Sequence, residues 1–219
     1  MDAPVTTVIV NFRTPDLTRE AATSFRSRYP DLPLLLIDNG SGASGAADLR
    51  RIAADSAVRA SALVLRRNIH HGPAMDLALR QIASPFLLFL DSDCVVHRGG
   101  FVELMRDLLD RDSVAYAVGK KIFMDARGFD VPESPGAHPY IRPICMMIRG
   151  SMYRELPPFR RHGAPCLENM IAARGRDLRL VHFPVEEYVH HAGRGTAMRH
   201  GYRLGLRGKW NHLLHRFGL

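Results

Sequence analysis

The sequence predicts an open α/β sandwich, a mostly parallel sheet flanked by helices, and three observations predict the sheet and its helices. Short aliphatic or β-branched runs alternate with longer amphipathic stretches through the first half of the chain, which is the pattern of βαβ units. Three of the runs, LLLI at 34–37, ALVL at 62–65 and FLLFL at 86–90, are apolar along their whole length, as expected of strands covered on both faces. Two of them end in polar turns, DNGSG at 38–42 and DSD at 91–93, at the strand ends where such a sheet places its ligand crevice.

The elements follow in order. Residues 5–11 (VTTVIVN) form the first strand, and Thr14-Pro15-Asp16 starts a helix, with proline suited to the first turn and the acid to its positive end. A second strand at 34–37 closes on DNGSG and leads to a helix over 46–60. The third strand and helix fall at 62–65 and 73–82, and the fourth strand at 86–90 stops at Asp91-Ser92-Asp93. A helix at 101–109 and a strand at 114–119 come next. The stretch 125–143 carries Pro132, Pro135, Pro139 and Pro143 and reads as a long loop, a candidate substrate lid. A strand at 144–148, a helix at 166–174 stopped by Gly175 and a strand at 178–183 complete the domain, followed by HHAGRGT and a basic tail over 199–219. No internal repeat or composition break marks a second domain.

Composition removes several classes of protein. At 219 residues with 46% hydrophobic and 24% charged side chains, the chain is an ordinary globular one and not a disordered one. Its longest apolar runs fall far below the ~18 residues of a membrane-spanning helix. The N-terminus lacks a basic leader region and reads as a strand, so a cytoplasmic location is expected. Cys94, Cys145 and Cys166 are too widely spaced for a CxxC zinc site and odd in number for a disulfide framework, so free thiols are expected. The net charge of +8 is carried almost wholly by arginine; only Lys120, Lys121 and Lys209 are lysines. Guanidinium forks suit phosphates, and GC-rich codon usage gives the same bias, so charge alone identifies no partner.

The DSD turn carries the most specific chemistry. Carboxylates at i and i+2 beyond a strand end can turn toward one hard cation, and oxygen ligands suit Mg²⁺ or Mn²⁺; a plain acidic surface turn is the alternative. Taken together, VTTVIVNF, LLLIDNGSG, NIHHGPAMDLAL and SPFLLFLDSDCVV resemble, in order and spacing, the nucleotide-binding half of the GT-A-fold glycosyltransferases of the family-2 type, over residues 5–105. The resemblance implies transfer of a sugar from a nucleotide-sugar, of UDP or other pyrimidine type, with Mn²⁺ or Mg²⁺ as cofactor. It divides the chain into a nucleotide-sugar-binding half (1–105), an acceptor half with its lid (106–198) and the tail.

By the same resemblance Asp91 and Asp93 are the DxD pair that contacts ribose and metal, with Ser92 between them on the donor. Asn11 and Phe12 flank the base, and Asp38 or Asn39 hydrogen-bonds it, although DNG alone also describes a simple Asx turn. Arg67, Asn68 and Gly72 belong to the segment that closes over the donor. Here His70 stands where the family often has Gly, and Asp76 where it often has Asn; His70 and His71 read as exposed loop histidines in preference to ligands. In HHAGRGT, His191, or alternatively His190, is the third metal ligand, and Arg194 reaches the donor phosphates. The general base is Glu168 or, alternatively, His162, since an ungapped comparison puts Gly163 and Ala164 where the family's acidic pair is expected.

The tail mixes basic residues with Tyr202, Leu204, Leu206, Trp210, Leu213, Leu214 and Phe217, a composition for docking on the domain or lying on an anionic membrane surface. The acceptor, whether small molecule, glycan, lipid-linked or protein, is not specified. A nucleotidyltransferase would carry glycine in the loop after the first strand, which 11–15 (NFRTP) lacks. A nucleic-acid-binding module would show steeply salt-dependent binding to polynucleotide.

Overall fold

The β-branched run near the N-terminus forms strand β1 (Val5–Asn11), which turns tightly into helix α1 (Pro15–Arg28). The computed structural model that shows this describes residues 4–160 and 164–192. The unit recurs as β2 (Leu34–Asp38) with α2 (Gly42–Ala54), then β3 (Ser61–Val64) with α3 (His71–Gln81), before β4 (Phe86–Leu90). Next come β5 (Cys94–Val96), α4 (Phe101–Asp110), and the long strands β6 (Ala115–Met124) and β7 (His138–Arg149). The one-turn helix α5 (Gly150–Tyr153), α6 (Leu167–Arg174), β8 (Arg179–His182), a 3-10 turn at Val185–Glu187 and β9 (Val189–His191) follow.

Seven strands make one sheet in the order β3-β2-β1-β4-β7-β6-β8, and β5 and β9 make a separate two-stranded ribbon. Within the sheet only β7 runs against its neighbours β4 and β6; the other pairings are parallel. The chain winds outward from β1 through β2 to β3, then returns to place β4 on the other side of β1. That reversal puts the topological switch point, where ligands bind in such sheets, at the carboxyl ends of β1 and β4.

β4 shows how the sheet is held. All five of its residues are buried; Phe86, Leu88 and Leu90 enter the core beneath α1, α2 and α4, while Leu87 and Phe89 enter the core beneath α3, α5 and α6. Alternate side chains therefore serve opposite cores, each full burial contributing about 1.5–3 kcal/mol. At the far end from the switch point, the buried guanidinium of Arg26 in α1 donates to the carbonyls of Val58, Tyr29, Pro30, Leu32 and Arg59.

Two sequence expectations are corrected. The second helix starts and stops earlier than 46–60, because Asp55 ends it: its carboxylate accepts the Ala57 N–H and its carbonyl accepts those of Val58 and Arg59. The loop expected over 125–143 is shorter, since 138–143 is the first half of β7, with Pro139 opposite Phe123 and Ile141 opposite Lys121. The register then slips across Arg142, Pro143 and Ile144, the kind of irregularity where a strand admits proline. The candidate lid thus shrinks to a hairpin tip, tied by the Asp125 carboxylate to the Arg127 and Phe129 N–H groups and by a bridge between Met124 and Asp130. The ribbon strands β5 and β9, three residues each, and the helix α5 were not anticipated.

Candidate active site

Four turns meet at the switch point. The turn after β1 is built on Asn11, which is fully buried. Its amide oxygen accepts from the Thr14 N–H and from the hydroxyls of Thr14 and Thr18, and its nitrogen donates to Asp38 Oδ1 at 3.0 Å. Asp38, also fully buried, accepts the Ser41 N–H through its other oxygen, and Asn39 accepts the Ile69 N–H. Asn11, Asp38 and Asn39 therefore knit the β1, β2 and β3 exits together, with their side chains buried. What the first turn presents is the half-buried Phe12 ring with the Arg13 guanidinium 5.1 Å from its centroid, on a backbone where Arg13 has φ +59°.

The turn after β2 rests on the turn after β3. Gly40 has φ +77°, and a Cβ there would lie 2.1 Å from the Arg67 carbonyl carbon, so only glycine lets these loops touch. Arg67 is exposed, and Asn68 Oδ1 accepts the His70 N–H at 2.7 Å just ahead of α3. His70 retains a glycine-like backbone, φ +72° and ψ 164°, at the very position where the resemblance expects glycine. That region costs an L-residue about 1–3 kcal/mol. The substitution His70→Gly is expected to stabilise the fold by about 1 kcal/mol, raising the melting temperature by about 2–4 °C; a thermal melt that fails to rise would show that the exposed imidazole repays its strain. Gly72 is buried in the first turn of α3.

Beyond β4, Ser92 shares a hydrogen bond with the Thr14 hydroxyl at 3.4 Å, joining the first and fourth turns. The chain then continues directly into β5, and β9 pairs antiparallel with it, Cys94 opposite His191 and Val95 opposite His190. The Ala192 N–H donates to the Asp93 carbonyl, fastening the ribbon's end. This pairing brings residues a hundred positions apart together: His191 Nε2 lies 3.2 Å from Asp93 Oδ1 and 3.9 Å from Asp91 Oδ2. One ligand atom from each of the three lies within 4.8 Å of the others. His191, and not the neighbouring exposed His190, joins the two carboxylates.

The electrostatics record the crowding. Burial, then the neighbouring Asp93 charge, push the Asp91 carboxyl up to about 7 against the opposing pull of His191. The hydrogen bond to Asp93 raises His191, outweighing its burial. His71, the first residue of α3, lies with Nε2 3.5 Å from Asp91 Oδ1, and burial lowers it to about 4, so it is neutral near pH 7. Two carboxylate oxygens and an imidazole nitrogen held this closely are a donor set for a divalent ion, whose charge relieves the repulsion between the acids.

The expectation that both loop histidines are exposed holds for His70 and fails for His71. The available signal was its place at the N-terminus of a helix that follows the third strand, since such termini face the crevice. Glu168 is the second residue of α6, exposed while Leu167, Asn169 and Met170 around it are buried, and it is not a member of the three-residue cluster. His162, Arg194 and the tail lie outside the described residues. Among the described residues the three cysteines are free and buried, and no helix is long and apolar enough to cross a membrane.

Known structures share this architecture at low identity. A mannosyltransferase, PcManGT from Pyrobaculum calidifontis, in complex with GDP-Man and Mn²⁺, superposes with a TM-score of 0.63 at 14% identity, over 83% of this chain and 55% of that one. S. aureus TarS 1-349 gives 0.59 at 13% identity, over 86% and 60%, and its complex with UDP-GlcNAc gives 0.59 at 14%, over 88% and 59%. The chain thus spans somewhat more than half the length of these structures, and what it shares with them is the GT-A fold. No curated protein matches the sequence. Residues 6–162 match the family described as glycosyl transferase family 2, and the chain belongs to that family.

Proposed function

We propose that this chain is a divalent-metal-dependent glycosyltransferase that moves a hexosyl or N-acetylhexosaminyl group from a nucleotide-sugar, of UDP type, to an acceptor. The observation that carries the reading is the convergence of Asp91, Asp93 and His191 at the switch point of a family-2 fold. These three would hold Mn²⁺ or Mg²⁺, the imidazole favouring Mn²⁺. Once bound, the ion neutralises charge on the departing nucleoside diphosphate. Solved relatives of the fold hold GDP-Man with Mn²⁺, UDP-GlcNAc and UDP, which supports a nucleotide-sugar donor without choosing the base.

The chain's own groups supply the rest. Phe12 offers its ring to the base, with Asn11, Asp38 and Asn39 shaping the pocket wall behind it. Asp91 and Ser92 face the ribose, and Arg67 and Asn68 border the donor. The N-terminus of α3, at His71 and Gly72, turns its amides and positive end toward the diphosphate, and Arg194 contacts the same phosphates. Glu168 is the proposed base, His162 the alternative; an exposed carboxylate at the start of α6 serves an acceptor that approaches along that helix. The domain boundary at 198 and the peripheral inner-membrane role of the cytoplasmic enzyme's tail belong to this same reading.

A thermal-shift screen of nucleotide-sugars with and without Mn²⁺ tests it, since a ligand bound only by the native state raises the melting temperature by mass action. One nucleotide-sugar is expected to stabilise the protein only when Mn²⁺ is present, and equal shifts with EDTA would remove the metal from the mechanism. In turnover assays with that donor, Glu168→Gln is expected to lower transfer by about 10²-fold or more while leaving the donor's thermal shift in place. Turnover near the wild-type rate would remove Glu168.

A further inference from the structure

A cleft of about 520 Å³ opens beside the metal-ligand cluster and shares His191 with it. Its walls come from the irregular stretch of β7, from β6, and from the β5–β9 ribbon with the 3-10 turn before it, and none comes from the four turns proposed to hold the donor. Lys120 and Arg142 bring fixed positive charge to it, His97 and His190 bring imidazoles, and the acid among its lining residues is Glu186. Glu186 stands 3.5 Å from Lys120 Nζ in a pair that is largely exposed, which holds neither partner tightly. Arg142 pairs with Asp130 through one end of its fork, while its buried Nε has no hydrogen-bond acceptor. A buried guanidinium N–H left without an acceptor is costly, and an anion is the ligand that satisfies it.

We propose that this cleft receives the acceptor of the transfer reaction through a phosphate ester carried by the acceptor, with Arg142 and Lys120 as its principal contacts. The donors approach from three structural elements, which suits a tetrahedral oxyanion accepting bonds in several directions better than a planar carboxylate. Because His191 borders both spaces, a hydroxyl near the bound phosphate would stand beside the sugar to be transferred. The inference rests on the glycosyltransferase reading for its role and on the cleft alone for its ligand.

The test is calorimetric titration of the full chain with glycerol 3-phosphate, with glycerol, and with a soluble short-chain phosphatidic acid, each in EDTA so that the metal site does not compete. Glycerol 3-phosphate is expected to bind and glycerol not to. Lys120→Gln and Arg142→Gln are each expected to weaken binding roughly tenfold, the loss of one charge-assisted contact, and Lys120→Arg to restore it. Preference for phosphatidic acid identifies a lipid-borne phosphate, and equal affinity for both esters identifies the phosphate alone. Absence of phosphate-ester binding, or binding indifferent to both Gln variants, overturns the proposal. Nucleoside diphosphate affinity in Mn²⁺ is read in parallel on wild type: its failure would strike the donor site, whereas failure of the phosphate arm strikes only this cleft.

Discussion

Asp93→Ala is expected to abolish the Mn²⁺-dependent part of nucleoside diphosphate binding, a loss of at least about a hundredfold. The side chain has two jobs. It supplies one of three clustered ligand atoms, and through its 3.2 Å contact it holds the His191 ring toward the site. Even groups that merely orient a metal ligand are worth about 10–100-fold, so removing a ligand and an orienting group together should exceed that range. The variant should fold, because removing Asp93 relieves the repulsion with Asp91 and leaves untouched the backbone carbonyl that anchors the Ala192 N–H. Its charge is also the second largest cause of the raised Asp91 carboxyl, so that group should titrate lower in the variant while burial keeps it above the usual carboxylate range. Calorimetry with and without Mn²⁺ reads the main effect; an undiminished Mn²⁺ enhancement in the variant would mean that the cluster holds no ion.

The two carboxylates of this cluster were legible because their signals are local. The run FLLFL followed by DSD places two carboxylates at the end of a buried strand without any knowledge of the rest of the chain. The contact between His191 and those carboxylates is different in kind. It depends on a ribbon of three-residue strands, too short for any periodicity, whose pairing unites residues far apart in sequence. HHAGRGT advertised a histidine, and only the antiparallel register decides between His190 and His191. His71, read from the sequence as an exposed loop histidine, was misplaced for the same reason, since its neighbour Asp91 lies across the crevice on a different turn. The prolines at 139 and 143 misled in the opposite direction: proline lowers strand propensity, yet an irregular strand tolerates both, and Arg142 lies where its register shifts. Arginine, finally, has no single meaning in composition. The excess suggested phosphates, and one of its members is instead part of the framework.

That member is Arg26, and Arg26→Met should cost about 3–5 kcal/mol, lowering the melting temperature by about 6–20 °C. Five carbonyl oxygens, from the end of α1, the segment leading to β2 and the segment after α2, converge on this one side chain at 2.7–2.9 Å. A methionine fills the space and offers no donor, so buried acceptors lose their partners together. Burial lowers the guanidinium below its ordinary value, with the nearby Arg59 charge acting in the same direction. Lysine is a poor substitute, since three donors on a compact ammonium cannot span acceptors that the planar fork reaches from several sides, and Arg26→Lys should recover only a minor share of the loss. Because the clamp sits at the opposite end of the sheet from the metal ligands, nucleotide affinity measured well below the melting transition should stay near wild type. A melt within about 2 °C of wild type, against the 2–4 °C expected for each kcal/mol in a chain this size, would show that solvent replaces the clamp at little cost; a parallel loss of nucleotide affinity would show that the two ends of the sheet are coupled.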